Sequence, residues 1–328
     1  MQLDRFRAFS AALDEIDLSE IKRVFPHPSL IEIKGENPQP LFISTLLHGN
    51  ETTSFEVLKH LRTSYANKQP PRSLLIFVGN VDAAEAGLRF LDGQPDYNRI
   101  WAGGDTPHHK LAREVTRIAQ DADIFASIDI HNNTGSNPLY GCVSVQRAAD
   151  LHLAAMFAPR GVYYRNPPTT LSIAFSSFCP SITLECAKPG DPIGVAAAIK
   201  LIEDTMRLEQ FPEHPPAGDQ LTMYETIGRV LVSPEASIEF GNAEADIVFP
   251  ADFDTHNFQA LSAGTHWAKA RAPVPLVVLD ELGHDLTGNF FERDGENLKL
   301  ARDIVPAMIT TDRDVIAKDC LCYLMVPH

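Results

Sequence analysis

The sequence predicts an α/β fold, in which a mixed, mainly parallel sheet flanked by helices is followed by a smaller β-rich domain. From residue 41 to residue 208, short apolar runs alternate with helical patterns, which is typical of a parallel sheet covered by helices. The stretch EQFPEHPPAGDQ (209–220) then interrupts every regular period with three prolines and a glycine. We therefore predict two domains, 1–210 and a β-rich 211–328.

Each predicted element follows from a local pattern. Short apolar runs bounded by polar or turn-forming residues predict strands at 41–47, 74–81, 124–130 and 181–186. Helical spacing of apolar residues predicts helices from about residue 51, through 110–120 and through 192–208, and Pro192 suits the first turn of the last. Beyond the proline-rich stretch, β-prone runs predict strands within 227–234, 245–250, 274–280 and 320–327.

Composition excludes several classes of protein. The 328 residues are 44% hydrophobic, enough for a full core, and a formal charge of -15 argues against a nucleic-acid or anionic-membrane surface, because both need clustered Lys and Arg. No stretch reaches the ~18 uninterrupted apolar residues of a membrane span, and the amino terminus lacks the apolar centre of a secretory signal. The five cysteines form no CxxC pair, so we expect reduced, mostly buried thiols. We expect a cytoplasmic protein without nucleic-acid or membrane partners, and the composition is compatible with a homo-oligomer.

Two histidines and a glutamate follow predicted strands. His48 and Glu51 lie in LLHGNETTSFEVL, where an apolar run gives way to a helix, and His131 directly follows the strand 124–130. Reactive groups in open α/β sheets collect at the carboxyl ends of strands. Two adjacent strand ends would bring together two imidazoles and a carboxylate, which suit Zn²⁺ better than Ca²⁺ or Mg²⁺ and leave a fourth position for water. A His three residues before a Glu is common by itself, so a metal site needs further support.

That support comes from the order of four motifs. HGNE resembles the HGxE zinc motif of the M14-like succinylglutamate desuccinylase/aspartoacylase family, DYNRIW resembles its DLNRxF, and DIHNNT resembles its DLHxTT. A glutamate on a late predicted strand, in TLECAKPG, follows them as in that family. The resemblance covers roughly residues 40–190. It implies a zinc carboxypeptidase-like fold with a β-rich second domain, and one Zn²⁺ per chain bound by His48, Glu51 and His131.

The resemblance also implies roles for other side chains. Glu185 would transfer a proton between the attacking water and the leaving amine. Arg89 would polarise the scissile carbonyl, and Asn98 and Arg99 would hold a substrate carboxylate, since a guanidinium fork matches a carboxylate. Arg165 is a third candidate cation for the substrate.

Some features depart from the family pattern or stay open. The stretch RFLDGQPDYNR is slightly longer than the usual spacing, and Cys186 and Ala187 stand where a glycine often follows the glutamate, so we predict a divergent branch. Asp129 could orient His131, or it could serve in a turn or cap.

The predicted function is zinc-dependent hydrolysis of the amide bond of a small anionic N-acyl amino acid. The sequence contains no HExxH, GxSxG, GxxxxGK[ST] or GxGxxG motif, which removes the usual support for serine hydrolases, NTPases and Rossmann dehydrogenases. Two alternatives remain: an M14-type metallocarboxypeptidase acting on peptides or cell-wall fragments, and a binding protein on a hydrolase scaffold. Pocket shape separates the first alternative from a deacylase, and failure to bind zinc would favour the second.

Overall fold

The computed structural model describes residues 1–241, 244–271 and 273–328. Contacts divide them into two compact units: unit 1 comprises residues 1–132 and 139–222, and unit 2 comprises residues 133–138 and 223–328. The domain division at 210/211 stays a prediction. Within the described ranges, no helix is both long and apolar enough to cross a membrane.

Unit 1 contains a mixed sheet and the helices that flank it. Its strands are β1 (Asp4–Phe6), β2 (Ser29–Ile33), β3 (Asn37–Thr45), β4 (Arg72–Val78), β5 (Ala126–His131), β6 (Tyr140–Val143), β7 (Arg160–Tyr163) and β8 (Ser181–Glu185). Its α-helices are α1 (Thr53–Tyr65), α2 (Val81–Ala86), α3 (Pro107–Asp121), α4 (Ala148–Phe157), α5 (Leu171–Ser176) and α6 (Pro192–Arg207). Short 3₁₀ turns cover Ala11–Asp14 and Leu18–Arg23.

The strands of unit 1 follow the order β1-β2-β4-β3-β5-β8-β6-β7. The β2–β4 and β6–β8 pairs are antiparallel, and the other neighbours in this order are parallel. This arrangement confirms the predicted mixed, mainly parallel sheet. The central strands β3, β5 and β8 run parallel to one another, so their carboxyl ends lie along the same edge of the sheet.

Local sequence explains the principal elements of unit 1. β5 (ASIDIH) and β8 (SITLE) are buried along their whole length, and in both strands polar residues alternate with apolar ones. Because side chains alternate between the two faces of a strand, His131 and Asp129 share one face of β5. The predicted strand 74–81 is shorter in the structure because Asn80 Oδ1 accepts a hydrogen bond from Ala83 N at 3.2 Å and caps α2. Asp191 caps α6 in the same way by accepting from Ile193 N at 2.8 Å.

Unit 2 is β-rich, as predicted. Its strands are β9 (Thr222–Val232), β10 (Ile238–Phe240), β11 (Ile247–Phe249), β12 (His266–Ala270), β13 (Leu276–Leu279), β14 (Phe291–Asp294), β15 (Asn297–Leu300), β16 (Val305–Ala307) and β17 (Cys322–Pro327). Two helices, α7 (Thr287–Phe290) and α8 (Arg313–Lys318), and a 3₁₀ turn at Phe253–His256 connect them. β13, β9, β17 and β16 pair antiparallel, and a second sheet has the order β10-β11-β12-β15-β14. The core of unit 2 contains aliphatic and aromatic side chains, and the rings of Phe253 and Trp267 meet there edge to face at 4.8 Å.

Candidate active site

Three predicted ligands come together at the carboxyl edge of the unit 1 sheet. His48 lies in the loop after β3, Glu51 lies just before α1, and His131 is the last residue of β5. Their donor atoms lie within 4.8 Å of one another, and all three side chains are buried. Glu51 Oε1 lies 2.7 Å from His48 Nδ1, and Glu51 Oε2 lies 2.8 Å from His131 Nδ1. The predicted set of two imidazoles and one carboxylate therefore exists as a single buried cluster.

Close packing shapes the loop that carries His48 and Glu51. A Cβ atom at Gly49 would lie 2.2 Å from the carbonyl carbon of Ala83 in α2, so only glycine fits between His48 and Glu51. Ser54 in α1 closes the loop, because its Oγ accepts from Leu46 N at 3.0 Å and donates to Glu51 O at 3.2 Å. The glycine of HGNE is thus needed to bring both ligands to the sheet edge.

Two further carboxylates, Asp96 and Asp129, contact the other nitrogen of each imidazole. His48 Nε2 lies 2.9 Å from Asp96 Oδ1, and His131 Nε2 lies 2.9 Å from Asp129 Oδ2. Asp129 lies inside β5 and is fully buried, so of the two roles left open by the sequence it contacts His131 and does not form a turn. Asp96 was not singled out by the sequence, although it is the first residue of DYNR.

This arrangement concentrates negative charge around the two rings. Burial is the largest single influence on Glu51 and Asp96 and would raise the pKa of both carboxyls. The charges and hydrogen bonds of His48 and His131 around Glu51, and those of His48, Arg89 and Arg99 around Asp96, together outweigh burial and hold both pKa values far below the usual range. Burial would lower the pKa of His131, yet the charges of Asp129 and Glu51 raise it well above its usual value. The cluster thus favours positive charge at its centre.

The donor geometry fits a divalent cation. Both nitrogens of each ring lie within 3 Å of carboxylate oxygens, and ionised carboxylates can only accept hydrogen bonds. A cation held by the two Nδ1 atoms and Glu51 would take the place of the protons that these nitrogens would otherwise donate to the Glu51 carboxylate. Two imidazole nitrogens and one carboxylate are a donor set typical of zinc sites, with the outer nitrogens oriented by carboxylates.

Arg89, a predicted catalytic residue, and Asn98, a predicted substrate-binding residue, lie beside the cluster. Arg89 Nη1 lies 3.4 Å from Glu51 Oε1, and Arg89 Nη2 lies 3.5 Å from Asp96 Oδ2. Asn98 is buried, and its Nδ2 lies 3.3 Å from His131 Nε2. Arg89 therefore reaches the cluster in spite of the longer spacing noted in the sequence.

Arg99 contacts the residue before it, and Arg165 lies near an aromatic ring. Arg99 Nη1 donates to Asn98 O at 3.0 Å, and its charge contributes to the lowered pKa of Asp96. The Arg165 guanidinium lies 5.7 Å from the centroid of the Tyr163 ring. The substrate roles of both arginines stay predictions.

Glu185 lies on the strand next to His131. The two residues are direct partners in the parallel β5–β8 register, and Cys186 N donates to His131 O at 2.9 Å. Partners in a parallel register project from the same face of the sheet. Glu185 is only 7% exposed, so its carboxyl group sits in a buried environment beside one of the predicted ligands.

Comparisons with known proteins agree with the motifs and the fold. The family model described as "Succinylglutamate desuccinylase/Aspartoacylase catalytic domain" matches residues 38–190. A succinylglutamate desuccinylase of Yersinia enterocolitica is 36% identical over 85 residues, and the matched segment is 25% of this chain and 25% of that relative. The matched segment thus spans about a quarter of the curated relatives' length.

Solved structures share the fold across most of the chain. The succinylglutamate desuccinylase of Chromobacterium violaceum superposes with a TM-score of 0.60 and 17% identity, covering 91% of this chain and 88% of that one. Murine aminoacylase 3 gives a TM-score of 0.60 and 17% identity, covering 89% of this chain and 96% of that one.

Proposed function

We propose that the chain is a zinc-dependent hydrolase of N-acyl amino acids, because the catalytic-domain model of the succinylglutamate desuccinylase/aspartoacylase family matches residues 38–190. The observation that carries the proposal is the buried cluster of His48, Glu51 and His131 with Glu185 on the adjacent strand. The proposed bond cleaved is the amide that joins the acyl group to the amino acid.

His48, Glu51 and His131 would hold one Zn²⁺ per chain. When bound, zinc supplies Lewis acidity, which polarises a carbonyl oxygen and makes water easier to deprotonate. Asp96 and Asp129 fix the orientation of the two imidazoles, so that the Nδ1 atoms stay directed at the Glu51 carboxylate.

Glu185 is the proposed acid and base of the reaction. Its carboxylate would accept a proton from the attacking water and donate that proton to the leaving nitrogen, so that water adds across the C–N bond and the carboxyl group ends ionised. Its place beside His131 suits this task, because a general acid and base has to lie close to the reacting groups.

The substrate is proposed to carry a carboxylate. Since the chain has a formal charge of -15, an anion needs fixed cations close to its binding position. Arg89 lies beside Glu51 and would stabilise the negative charge that develops on the carbonyl oxygen. Asn98, Arg99 and Arg165 are the proposed groups that hold the substrate carboxylate.

A substrate panel tests the proposal. Zinc-loaded protein would be incubated with N-acetyl and N-succinyl derivatives of acidic and neutral amino acids and with short peptides, and free amine would be measured. Glu185→Gln protein serves as the control for a contaminating hydrolase. Turnover of N-acyl amino acids supports the proposal, preferential release of carboxy-terminal residues from peptides indicates a metallocarboxypeptidase, and metal binding without turnover of either class contradicts a hydrolase.

A further inference from the structure

Asn132 connects the three chain segments that carry the candidate active site. It follows His131 directly and is 5% exposed. Its Oδ1 accepts from Thr53 N at 3.1 Å, and its Nδ2 donates to Thr53 Oγ1 at 2.9 Å. Its backbone N–H donates to Glu51 Oε2 at 3.2 Å. The residue therefore binds both the start of α1 and the carboxylate that lies just before it.

The same side chain also reaches the end of β8. Asn132 Nδ2 lies 3.0 Å from Ala187 O and 3.3 Å from Cys186 O, the two residues after Glu185. Ala187 has a φ of 58°, a left-handed conformation that alanine rarely adopts. The hydrogen bond to its carbonyl holds this turn in place, and the turn fixes the end of the strand on which Glu185 lies.

We propose that Asn132 is a positioning residue that sets the relative positions of Glu51, His131 and Glu185. It is adjacent to His131 in the chain, bonded through its backbone to Glu51, and bonded through its side chain to the turn after Glu185. Removal of the Asn132 side chain should therefore lower both the metal affinity and the turnover. The metal ligands and the proton-transfer group, Glu185, would no longer be held by the same side chain.

A buried asparagine with a purely structural role would behave differently, and unit 2 provides one for comparison. Asn257 is 3% exposed, its Nδ2 donates to Asp254 O and Ile309 O at 2.9 Å each, and its Oδ1 accepts from Ile309 N at 2.8 Å. Its bonding resembles that of Asn132, but its partners carry none of the proposed ligands. Asn257→Ala is therefore a matched control for loss of a buried amide.

The first test is a titration of metal-free Asn132→Ala with Zn²⁺ against a chromophoric chelator. The variant keeps the backbone N–H that bonds Glu51, so the titration isolates the side chain. We expect a metal Kd at least about 10-fold weaker than wild type, the lower end of the effect of losing a group that orients metal ligands. Asn257→Ala should lower the melting temperature to a similar extent and leave the metal Kd within about twofold of wild type.

The second test is steady-state kinetics at saturating zinc, and this arm alone rests on the proposed function. Asn132→Ala should lower kcat by about 10-fold or more with KM within about twofold, because Glu185 loses its fixed position while the substrate-binding groups keep theirs. If wild-type protein hydrolyses no N-acyl amino acid, the proposed function fails, and the metal titration still decides the role of Asn132.

A milder pair of variants covers the case in which Asn132→Ala does not fold. Thr53→Val removes one acceptor of Asn132 Nδ2 without changing side-chain size, and Thr53→Ser keeps that hydroxyl group. We expect a metal Kd at least about threefold weaker for Thr53→Val than for Thr53→Ser. Equal affinities in this pair, or an Asn132→Ala protein that is merely less stable with wild-type Kd and kcat, would overturn the proposal.

Discussion

Replacing Asp96 with Asn should weaken zinc binding about tenfold. Asp96 Oδ1 lies 2.9 Å from His48 Nε2, and its side chain is only 15% exposed, so solvent screens this bond little. Hydrogen bonds to charged groups contribute ~1.5–3 kcal/mol. Asparagine keeps an acceptor oxygen but loses the charge, so we expect about half of the larger value, ~1.5 kcal/mol, which is about a factor of 10 in the dissociation constant.

The assay is a competition titration of metal-free protein at fixed pH and ionic strength. Asp92→Asn is the matched control, because Asp92 is exposed in the same loop and the substitution removes the same charge. Asp92→Asn should leave the metal Kd within about twofold of wild type. If Asp96→Asn binds zinc as tightly as Asp92→Asn does, Asp96 does not support His48 as a ligand and our account of the cluster is wrong.

Three further variants test individual roles. His131→Ala should lower metal content and abolish hydrolysis, as measured by metal analysis and amine release; wild-type values for both would exclude His131 as a ligand. Glu185→Gln should keep the metal and lose ~10²- to 10⁴-fold in turnover, the range typical of a lost general acid/base, whereas loss of zinc would show that Glu185 is a ligand or a structural group. Arg99→Lys keeps the charge but loses the planar fork, so substrate binding should weaken by ~1–3 kcal/mol; an unchanged KM would redirect the search for the carboxylate anchor to Arg165.

The sequence predicted the central strand β3 because its buried half is mostly apolar. β3 lies between two parallel neighbours, β4 and β5, and its last five residues, LFIST, are all buried. In β5 and β8, which are also buried, polar and apolar residues alternate, a pattern with a period of two that is typical of strands. β6 and β7 were not predicted, since each has only four residues, each contains a glycine, and neither has a sustained pattern. Strands this short are stabilised by pairing with neighbours and have little signal of their own.

In the candidate site, the sequence predicted residues that lie in local motifs and missed residues whose partners are distant in the chain. His48, Glu51 and His131 were found because motifs of fixed local spacing carry them. Asp96 and Asn132 were missed because their partners lie 48 and 79 residues away in the chain. An aspartate or asparagine in a loop has many ordinary uses in turns and caps, so its contact with a distant ligand emerges only once the sheet brings the strand ends together.

The central claim is that the cluster of His48, Glu51 and His131 is a single metal site on which hydrolysis depends. The most direct test is to remove all metal with a chelator, remove the chelator, and measure amide hydrolysis as Zn²⁺ is added back in fractions of an equivalent. We predict negligible turnover without metal and a linear rise that ends sharply at about one Zn²⁺ per chain. Full turnover of the metal-free protein, or a rise that continues well beyond one equivalent, would contradict the account.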